Sequence, residues 1–199
     1  MPDDQTFAAP IARSPVEGRI GLSSPAISLE ERPFLGKLIL RGDDTDKSFL
    51  SSAKKHLGVD LPLKPNTTAS KGDLQVLWLG PTEWLVRTAP GAETALAEAF
   101  TQDFANKPAG VVDVSDYYTV FRLSGPRARE VMSKGCPLDT HSSVFSSSQC
   151  AQSLLAKADI LLDCVADGAT PAFDLQVRWS MAVYLWDWLA SAGAEYAQQ

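Results

Sequence analysis

Apolar and polar positions form their clearest pattern in the middle of the chain, between residues 111 and 139. From 117 to 123, β-branched and aromatic residues alternate with both faces largely apolar, which predicts a central β-strand. Gly125 followed by Pro126 predicts the start of a helix, because proline at the first helical position fixes a suitable φ and lacks an amide that would stay unpaired there. Gly135 then predicts the end of this helix.

The same succession occurs earlier in the chain. Residues 37–41 form an apolar run, Gly42 follows as a turn, and an amphipathic stretch ends at Gly58, which predicts a strand, a turn and a helix. Strand-like segments and a closing helix follow each unit, at residues 74–79, 84–86 and 92–104 in the first copy and 153–155, 160–162 and 182–196 in the second.

These patterns predict an α+β fold with two β-α-β-β-α (ferredoxin-like) copies packed as one domain. The first half covers residues 34–110 and the second covers residues 111–199. An alternative interpretation is that two ordinary α+β units resemble each other by chance. Irregular stretches at residues 61–72 and 139–148 are predicted to be surface connections.

Residues 1–33 differ from the rest of the chain. Prolines, serines and glycines recur there without a periodic apolar face, which predicts an extended N-terminal arm. Two interpretations stay open: a flexible tail, or a strap that lies on a partner, because the arm carries more apolar residues than a linker needs.

Composition narrows the classes of function. The chain has 199 residues, 45% of them hydrophobic and 21% charged, as in ordinary folded proteins. The net charge is −6 and no basic run is present, so nucleic acid is not expected as a partner. No leader or membrane segment is evident, which predicts a cytoplasmic protein. The three cysteines lack a C-x-x-C pair, which predicts free thiols.

Reactive constellations are scarce in the sequence. The two histidines, His56 and His141, have no evident partner set, and no hydrolase, zinc-protease, P-loop or dinucleotide motif is present. We therefore predict no catalytic, cofactor-binding or metal-binding residue in this chain. Asp113 and Asp116 form one acidic cluster, which either does acid-base work or makes a turn by hydrogen-bonding the local backbone.

Aromatic residues are the best candidates for contact with another protein. Large aromatic side chains anchor protein interfaces because they bury much area at low entropic cost, although the same residues also fill cores. The predicted interface residues are Trp78, Trp84, Tyr117, Tyr118, Trp179, Trp186 and Trp188.

A series of short runs, in order from about residue 13 to 196, resembles the gamma subunit of heterotetrameric sarcosine oxidase. The runs are Arg13-Ser14-Pro15, Pro65-Asn66-Thr67, Leu77-Trp78-Leu79-Gly80-Pro81, Val112-Asp113-Val114-Ser115, Leu123-Ser124-Gly125-Pro126, Lys134-Gly135-Cys136-Pro137-Leu138-Asp139, Cys150-Ala151-Gln152 and Phe173-Asp174-Leu175. This resemblance implies a fold like that of the glycine-cleavage T-protein. T-proteins are longer and carry a further C-terminal domain, so a complete folate pocket is not expected here.

The resemblance also implies partners and chemistry. Such complexes oxidise sarcosine to glycine, release hydrogen peroxide, and yield formaldehyde or pass the one-carbon unit to tetrahydrofolate. The alpha, beta and delta subunits are expected to carry FAD, FMN, NAD and zinc, with tetrahydrofolate as co-substrate. The leading hypothesis is an accessory, non-catalytic subunit. The alternatives are a stand-alone folate-binding aminomethyltransferase-like protein that uses Asp113, and an adaptor unrelated to sarcosine.

Overall fold

The computed structural model describes residues 11–197, which contain ten β-strands and four α-helices. The strands are β1 (Ser28–Glu31), β2 (Gly36–Arg41), β3 (Thr68–Lys71), β4 (Leu74–Gly80), β5 (Glu83–Thr88), β6 (Gly110–Asp113), β7 (Tyr118–Ser124), β8 (Cys150–Leu155), β9 (Ala158–Ala166) and β10 (Ala172–Arg178). The helices are α1 (Lys47–Leu57), α2 (Glu93–Phe104), α3 (Ala128–Ser133) and α4 (Ala182–Gly193). This arrangement confirms the predicted α+β class.

The strands form two antiparallel five-stranded sheets. The first sheet has the order β3-β4-β5-β2-β6, and the second has the order β8-β9-β10-β7-β1. Read from the same side, the two orders correspond strand by strand, which agrees with the internal repeat predicted from the sequence. Three strands separate the two helices in each copy, one more than the β-α-β-β-α formula contains.

The additional strand of the first copy is β3, which lies inside the stretch predicted to be irregular. Its sequence is Thr-Ala-Ser-Lys, without a large apolar side chain, and its residues are half-buried or exposed. It pairs with β4 alone at the edge of the first sheet. Pattern reasoning missed it because an edge strand without an apolar face has no periodic signal.

Each sheet takes its last strand from the other part of the chain. β1 precedes the first copy but pairs with β7 of the second sheet. β6 directly precedes β7 but pairs with β2 of the first sheet. The predicted halves, residues 34–110 and 111–199, divide the chain in sequence order. The two sheets divide it differently, because β1 pairs with β7 and β6 pairs with β2.

The two sheets pack face to face with the helices outside them. Leu77 and Leu85 of the first sheet form one apolar cluster with Cys150 and Leu161 of the second sheet. On the opposite face of the first sheet, strand residues join a core with α1 and α2. The corresponding face of the second sheet joins a core with α3 and α4. The chain is a layered helix-sheet-sheet-helix structure, because strand side chains alternate between the two faces.

Residues 11–33 of the predicted arm lie against the second half. Val16, Leu22 and Ile27 are buried in the core of the second sheet, and Leu29 joins them from β1. These apolar residues of the arm are thus used within this chain, whereas Ile11 and Ile20 are 81% and 88% exposed. Residues 1–10 of the arm lie outside the described residues.

Gly125 holds the arm against the turn between β7 and α3. Its φ is +115°, and a β-carbon added there would meet the Ala26 carbonyl oxygen at 2.6 Å. We expect Gly125→Ala to lower the free energy of unfolding by more than the ~1–3 kcal/mol that backbone strain alone costs, because the arm must also move. Denaturant unfolding measures the loss.

The matched control is Gly168→Ala. Gly168 also has a positive φ, +91°, but nothing lies within 4 Å of its added β-carbon. Gly168→Ala therefore measures the cost of backbone strain without a steric clash. An equal loss of stability in both variants would contradict the role of Gly125 in seating the arm.

Candidate functional site

Polar side chains occupy part of the surface where the two sheets face each other. Register places Gln75 of β4 opposite Arg87 of β5 in the first sheet. In the second sheet, Asp174 of β10 lies opposite both Asp163 of β9 and Arg122 of β7. These five residues form what we call the charge cluster.

Arg87 joins the two sheets within the charge cluster. Its Nη2 lies 3.0 Å from Asp163 Oδ2 and 2.9 Å from Asp174 Oδ2. Arg122 grips the same Asp174 with two bonds, Nε to Oδ1 at 2.7 Å and Nη2 to Oδ2 at 2.9 Å. Gln75 donates from Nε2 to Asp163 Oδ2 at 2.9 Å and accepts a bond from Arg87. Two cations thus balance two anions.

Three members of the charge cluster are almost completely removed from water. Arg87 is 4% exposed, Asp163 is 0% exposed and Asp174 is 1% exposed. Burial raises the pKa of Asp163, and the neighbouring Arg87 opposes this rise. Two carboxylates opposite each other on one sheet repel, so the guanidinium from the other sheet makes their burial tolerable.

A cleft of about 520 Å³ opens beside the charge cluster, between the two sheets. Arginines from β5, from β7 and from the loop after β1 line it, together with hydroxyl-bearing residues of β3 and of the loop before β8. The lining residues are Arg32, Leu35, Thr68, Ser70, Gly72, Asp73, Leu74, Gln75, Arg87, Ala89, Pro90, Arg122, Ser147, Ser148, Cys164, Val165 and Asp174.

A second notable surface consists of Phe34, Tyr117, Tyr118 and Trp179, which we call the aromatic patch. Phe34 is 51% exposed, and Tyr117 and Trp179 are each 50% exposed. The Tyr117 and Tyr118 rings contact each other edge to face, with centroids 4.7 Å apart. Phe34, Tyr118 and Trp179 line one shallow depression. The φ of Phe34 is +60°, which a bulky residue rarely adopts, and the phenyl ring is left in solvent.

The structure separates the seven aromatic residues predicted to form an interface. Tyr117, Tyr118 and Trp179 lie together in the aromatic patch. The prediction was wrong for Trp84, which is 0% exposed, and for Trp186, which is 4% exposed. Both belong to cores, where helix packing covers them. Trp78 and Trp188 are partly buried against the first and second helical cores, respectively.

The acidic cluster at Asp113 is a turn. Its Oδ1 accepts hydrogen bonds from the Ser115 amide at 2.9 Å and from the Ser115 hydroxyl at 2.6 Å. This confirms the turn interpretation of the sequence. Asp116 lies in the following helical turn, on the surface next to the aromatic patch.

Lys37 fixes this turn to the first sheet. It is 1% exposed, and its Nζ donates to the carbonyl oxygens of Leu35 at 2.6 Å and Ser115 at 3.2 Å. Burial lowers the pKa of Lys37 to about 8. A buried lysine held by backbone carbonyls anchors the segment that carries Tyr117 and Tyr118.

The remaining candidate groups make local contacts. His56 Nε2 lies 2.6 Å from Asp103 Oδ2, and hydrogen bonds from Ser52, His56 and Lys55 lower the pKa of Asp103. His141 contacts Ser143 in its loop at 2.8 Å. Between residues 11 and 197, no group of three or more histidine, cysteine, aspartate or glutamate side chains is placed to hold a metal ion.

All three cysteines, Cys136, Cys150 and Cys164, are buried free thiols. Burial raises the pKa of Cys150 to about 12, so its nucleophilic thiolate is not formed at neutral pH. Among the helices of the described residues, none combines the length and the apolar character that crossing a bilayer requires.

Sequence reasoning missed the charge cluster. Neither Asp163 nor Arg87 belongs to a motif or to a periodic pattern in the sequence. The available signal was a charged residue at an inward position of a central strand, where a buried charge needs a partner. Which partner it meets depends on how the sheets face each other, and strand patterns do not contain that information.

Comparison with known proteins identifies the family. The model of the sarcosine oxidase gamma subunit family matches residues 41–195. The chain belongs to this family. The resemblance predicted from short sequence runs is thereby confirmed. Gamma-subunit relatives from two strains of Corynebacterium and from Arthrobacter match across most of their length.

The sarcosine oxidase gamma subunit of Corynebacterium sp. (strain P-1) is 29% identical over 195 residues, covering 95% of this chain and 93% of the relative. That of Arthrobacter sp. is 31% identical over 143 residues, covering 71% and 69%. A chain of heterotetrameric sarcosine oxidase from Corynebacterium sp. U-96 superposes with a TM-score of 0.81 at 26% identity, covering 89% of each chain.

The relation in fold to the T-protein is also confirmed. The glycine cleavage system aminomethyltransferase T from Bartonella henselae superposes with a TM-score of 0.60 at 16% identity. The match covers 81% of this chain but 44% of the aminomethyltransferase. A gamma-family chain thus shares the fold of less than half of that larger enzyme.

Proposed function

We propose that this chain is an accessory, non-catalytic subunit of a sarcosine oxidase complex and meets its partners through the aromatic patch. The observation that carries the proposal is the patch itself, which leaves Phe34, Tyr117 and Trp179 half exposed on one surface. Membership of the gamma-subunit family and the fold match to a chain of a heterotetramer support it. The sequence resemblance supplies the reaction: oxidative demethylation of sarcosine to glycine, with hydrogen peroxide and formaldehyde or 5,10-methylenetetrahydrofolate.

The proposed partners are alpha, beta and delta subunits, in the cytoplasm. In this proposal FAD, FMN, NAD and zinc reside in those subunits, tetrahydrofolate is a co-substrate of the complex, and this chain holds no cofactor. Its acidic turn supports an accessory role, since the Asp113 carboxylate is already engaged by Ser115. The buried thiols support it as well.

The physical argument for contact is the cost of exposed aromatic area. Each Å² of apolar surface removed from water contributes about 25 cal/mol, so large half-exposed rings favour association. The aromatic rings are uncharged. The Arg178 guanidinium carbon lies 5.8 Å from the centroid of the Tyr117 ring and gives the patch a polar edge. An apolar centre with a polar edge is the usual composition of a protein interface.

The test combines Phe34→Gly with Trp179→Ala in the chain coexpressed with the other subunits. Glycine accepts the positive φ of Phe34 without strain, so the fold is expected to keep its stability. Loss of an anchoring ring at an interface centre costs ~2 kcal/mol or more, so we expect each substitution to weaken assembly by about thirtyfold and the pair by several hundredfold. Copurification and analytical ultracentrifugation measure assembly.

The control variant carries Val144→Ala and Leu63→Ala, two apolar residues that are 53% and 48% exposed and line no depression with a residue of the patch. It is expected to assemble like the unmodified chain. If the patch variant also assembles normally, the aromatic patch is not the interface. If the complex forms and oxidises sarcosine at full rate without this chain, the accessory role fails.

The stand-alone folate-binding hypothesis makes a different prediction. It requires the purified chain to bind tetrahydrofolate with micromolar affinity in a calorimetric titration, and to lose that binding in Asp113→Ala. We expect the isolated chain to bind no tetrahydrofolate. Saturable binding that depends on Asp113 would replace the accessory proposal.

A further inference from the structure

The cleft between the two sheets has the dimensions of a ligand site. Its volume of about 520 Å³ lies within the range of small-molecule pockets, roughly 300–1,000 Å³. It lies where two packed layers meet, and such junctions are preferred positions for ligand sites. The cleft is separate from the depression that Phe34, Tyr118 and Trp179 line. The two have only Leu35 and Pro90 in common among their lining residues.

The cleft wall is rich in guanidinium donors that the protein does not fully use. Arg87 Nη1 is buried and has no hydrogen-bond partner among the described residues. Arg32 forms no ion pair with any residue from 11 to 197. Arg122 donates hydrogen bonds from Nε and Nη2 to Asp174, and its side chain is 23% exposed. An unpaired buried N–H of a charged group is costly, which favours an acceptor nearby.

Two carboxylates also line the cleft, Asp174 and Asp73, and they differ in whether they pair with its arginines. Asp174 is saturated by Arg87 and Arg122 and is 1% exposed. Asp163, behind the wall, is paired with Arg87 and Gln75. Asp73 is the remaining acidic lining residue, on the exposed turn between β3 and β4, and it forms no ion pair within the described residues. The inner wall therefore presents donors, and the acidic side chain lies at the turn.

Hydroxyl groups complete the donor set. Thr68 and Ser70 of β3 and Ser147 and Ser148 of the facing loop line the cleft from both halves of the chain. The Thr68 amide donates to the Ser148 carbonyl oxygen at 2.9 Å, which fixes the two rims to each other. Guanidinium and hydroxyl donors around one cavity match the oxygens of a carboxylate or a phosphate.

We infer that this cleft binds a small oxyanion, carried by a carboxylate or a phosphate, with Arg32, which has no ion pair among the described residues, as its principal charged contact. Arg122 supplies the neighbouring donors, and Arg87 fixes the orientation of the wall through Asp174. The site is independent of the chemistry proposed for the complex. Its occupant is a small molecule with at least one oxyanion group, since the cavity has the volume of a small-molecule site.

The experiment titrates the full chain with phosphate, with succinate and with chloride at matched ionic strength, by calorimetry and by thermal shift. We expect saturable binding of phosphate or succinate and none of chloride, and the stronger of the two identifies the head group. A hydrogen bond to a charged group contributes ~1.5–3 kcal/mol, so Arg32→Gln is expected to weaken binding by about tenfold or more.

The matched control is Arg13→Gln, which removes an exposed arginine outside the cleft. It is expected to leave the affinity unchanged, and both variants should unfold at the temperature of the unmodified chain. Saturable binding lost in Arg32→Gln but not in Arg13→Gln supports the site. Absence of saturable binding by either oxyanion, or equal affinity in Arg32→Gln, overturns it.

Discussion

Replacing Arg87 by methionine is expected to lower the free energy of unfolding by about 3–5 kcal/mol at pH 7. Methionine keeps much of the side-chain volume but removes the cation that serves Asp163 and Asp174. Asp174 then keeps Arg122, but Asp163 keeps only the neutral Gln75, so one buried carboxylate is left without a cation beside a second carboxylate. Such a state costs more than the loss of the ion pair itself. Urea unfolding monitored by tryptophan fluorescence measures the change.

Two further variants distinguish charge from packing. Arg87→Met combined with Asp163→Asn removes one buried anion, so it is expected to recover part of the stability that Arg87→Met alone loses. Asp60→Asn serves as a comparison, because the Lys54–Asp60 pair is exposed and contributes little. A double variant no more stable than Arg87→Met would show that packing, and not unpaired charge, causes the loss.

The same variant should respond to pH with a defined sign. Burial raises the pKa of Asp163 in the folded state. Without Arg87 that rise is larger, so between the unfolded and folded pKa values the folded state binds a proton that the unfolded state does not. Stability then increases as pH falls, and the deficit of Arg87→Met relative to the unmodified chain is expected to shrink between pH 7 and pH 5. A deficit that stays constant would contradict this linkage.

Trp84→Ala is expected to cost about 3–5 kcal/mol, whereas Trp179→Ala changes stability by less than about 0.5 kcal/mol. Trp84 is fully buried and packs against Phe49, with tilted rings whose centroids are 5.7 Å apart. Its Nε1 donates to the Pro62 carbonyl oxygen at 2.8 Å. Its removal leaves a cavity and an unpaired carbonyl. Trp179 is half exposed and leaves neither.

Thermal and denaturant unfolding of the two tryptophan variants, compared with the unmodified chain, test this contrast directly. The same pair should behave in the opposite way during assembly. Trp179→Ala is expected to impair copurification with the partner subunits while leaving the chain folded. Equal destabilisation by both substitutions would mean that Trp179 also belongs to the core.

Local signals account for what the sequence predicted well. The helix predicted after Gly125 is α3, which begins at Ala128, and the helix predicted at 182–196 is α4 with a short helical turn after it. Each helix has a local sequence signal, either glycine and proline near its ends or a periodic apolar face. Asp113 could likewise be assigned to a turn, because its hydrogen bonds lie two residues away.

Long-range choices account for what the sequence did not predict. Trp84 and Trp179 both lie near the end of a strand, and only the register and the helix packed above it bury the first and expose the second. The sheet that β6 joins is likewise decided by its pairing with β2, far along the chain. The partner of Asp163 depends on how two separate sheets meet. A local sequence pattern does not determine any of these long-range contacts.

The exchange of edge strands between the sheets also affects how the chain folds as it is synthesised. β1 leaves the ribosome early with the core residue Leu29, yet its pairing partner β7 is made only after the whole first copy and β6. The first sheet is closed by β6 before β1 has a partner, so an apolar N-terminal segment stays uncovered during much of translation. Because β1 and β7 lie far apart in the sequence, we expect their pairing to slow folding and to make the two copies unfold as one cooperative unit.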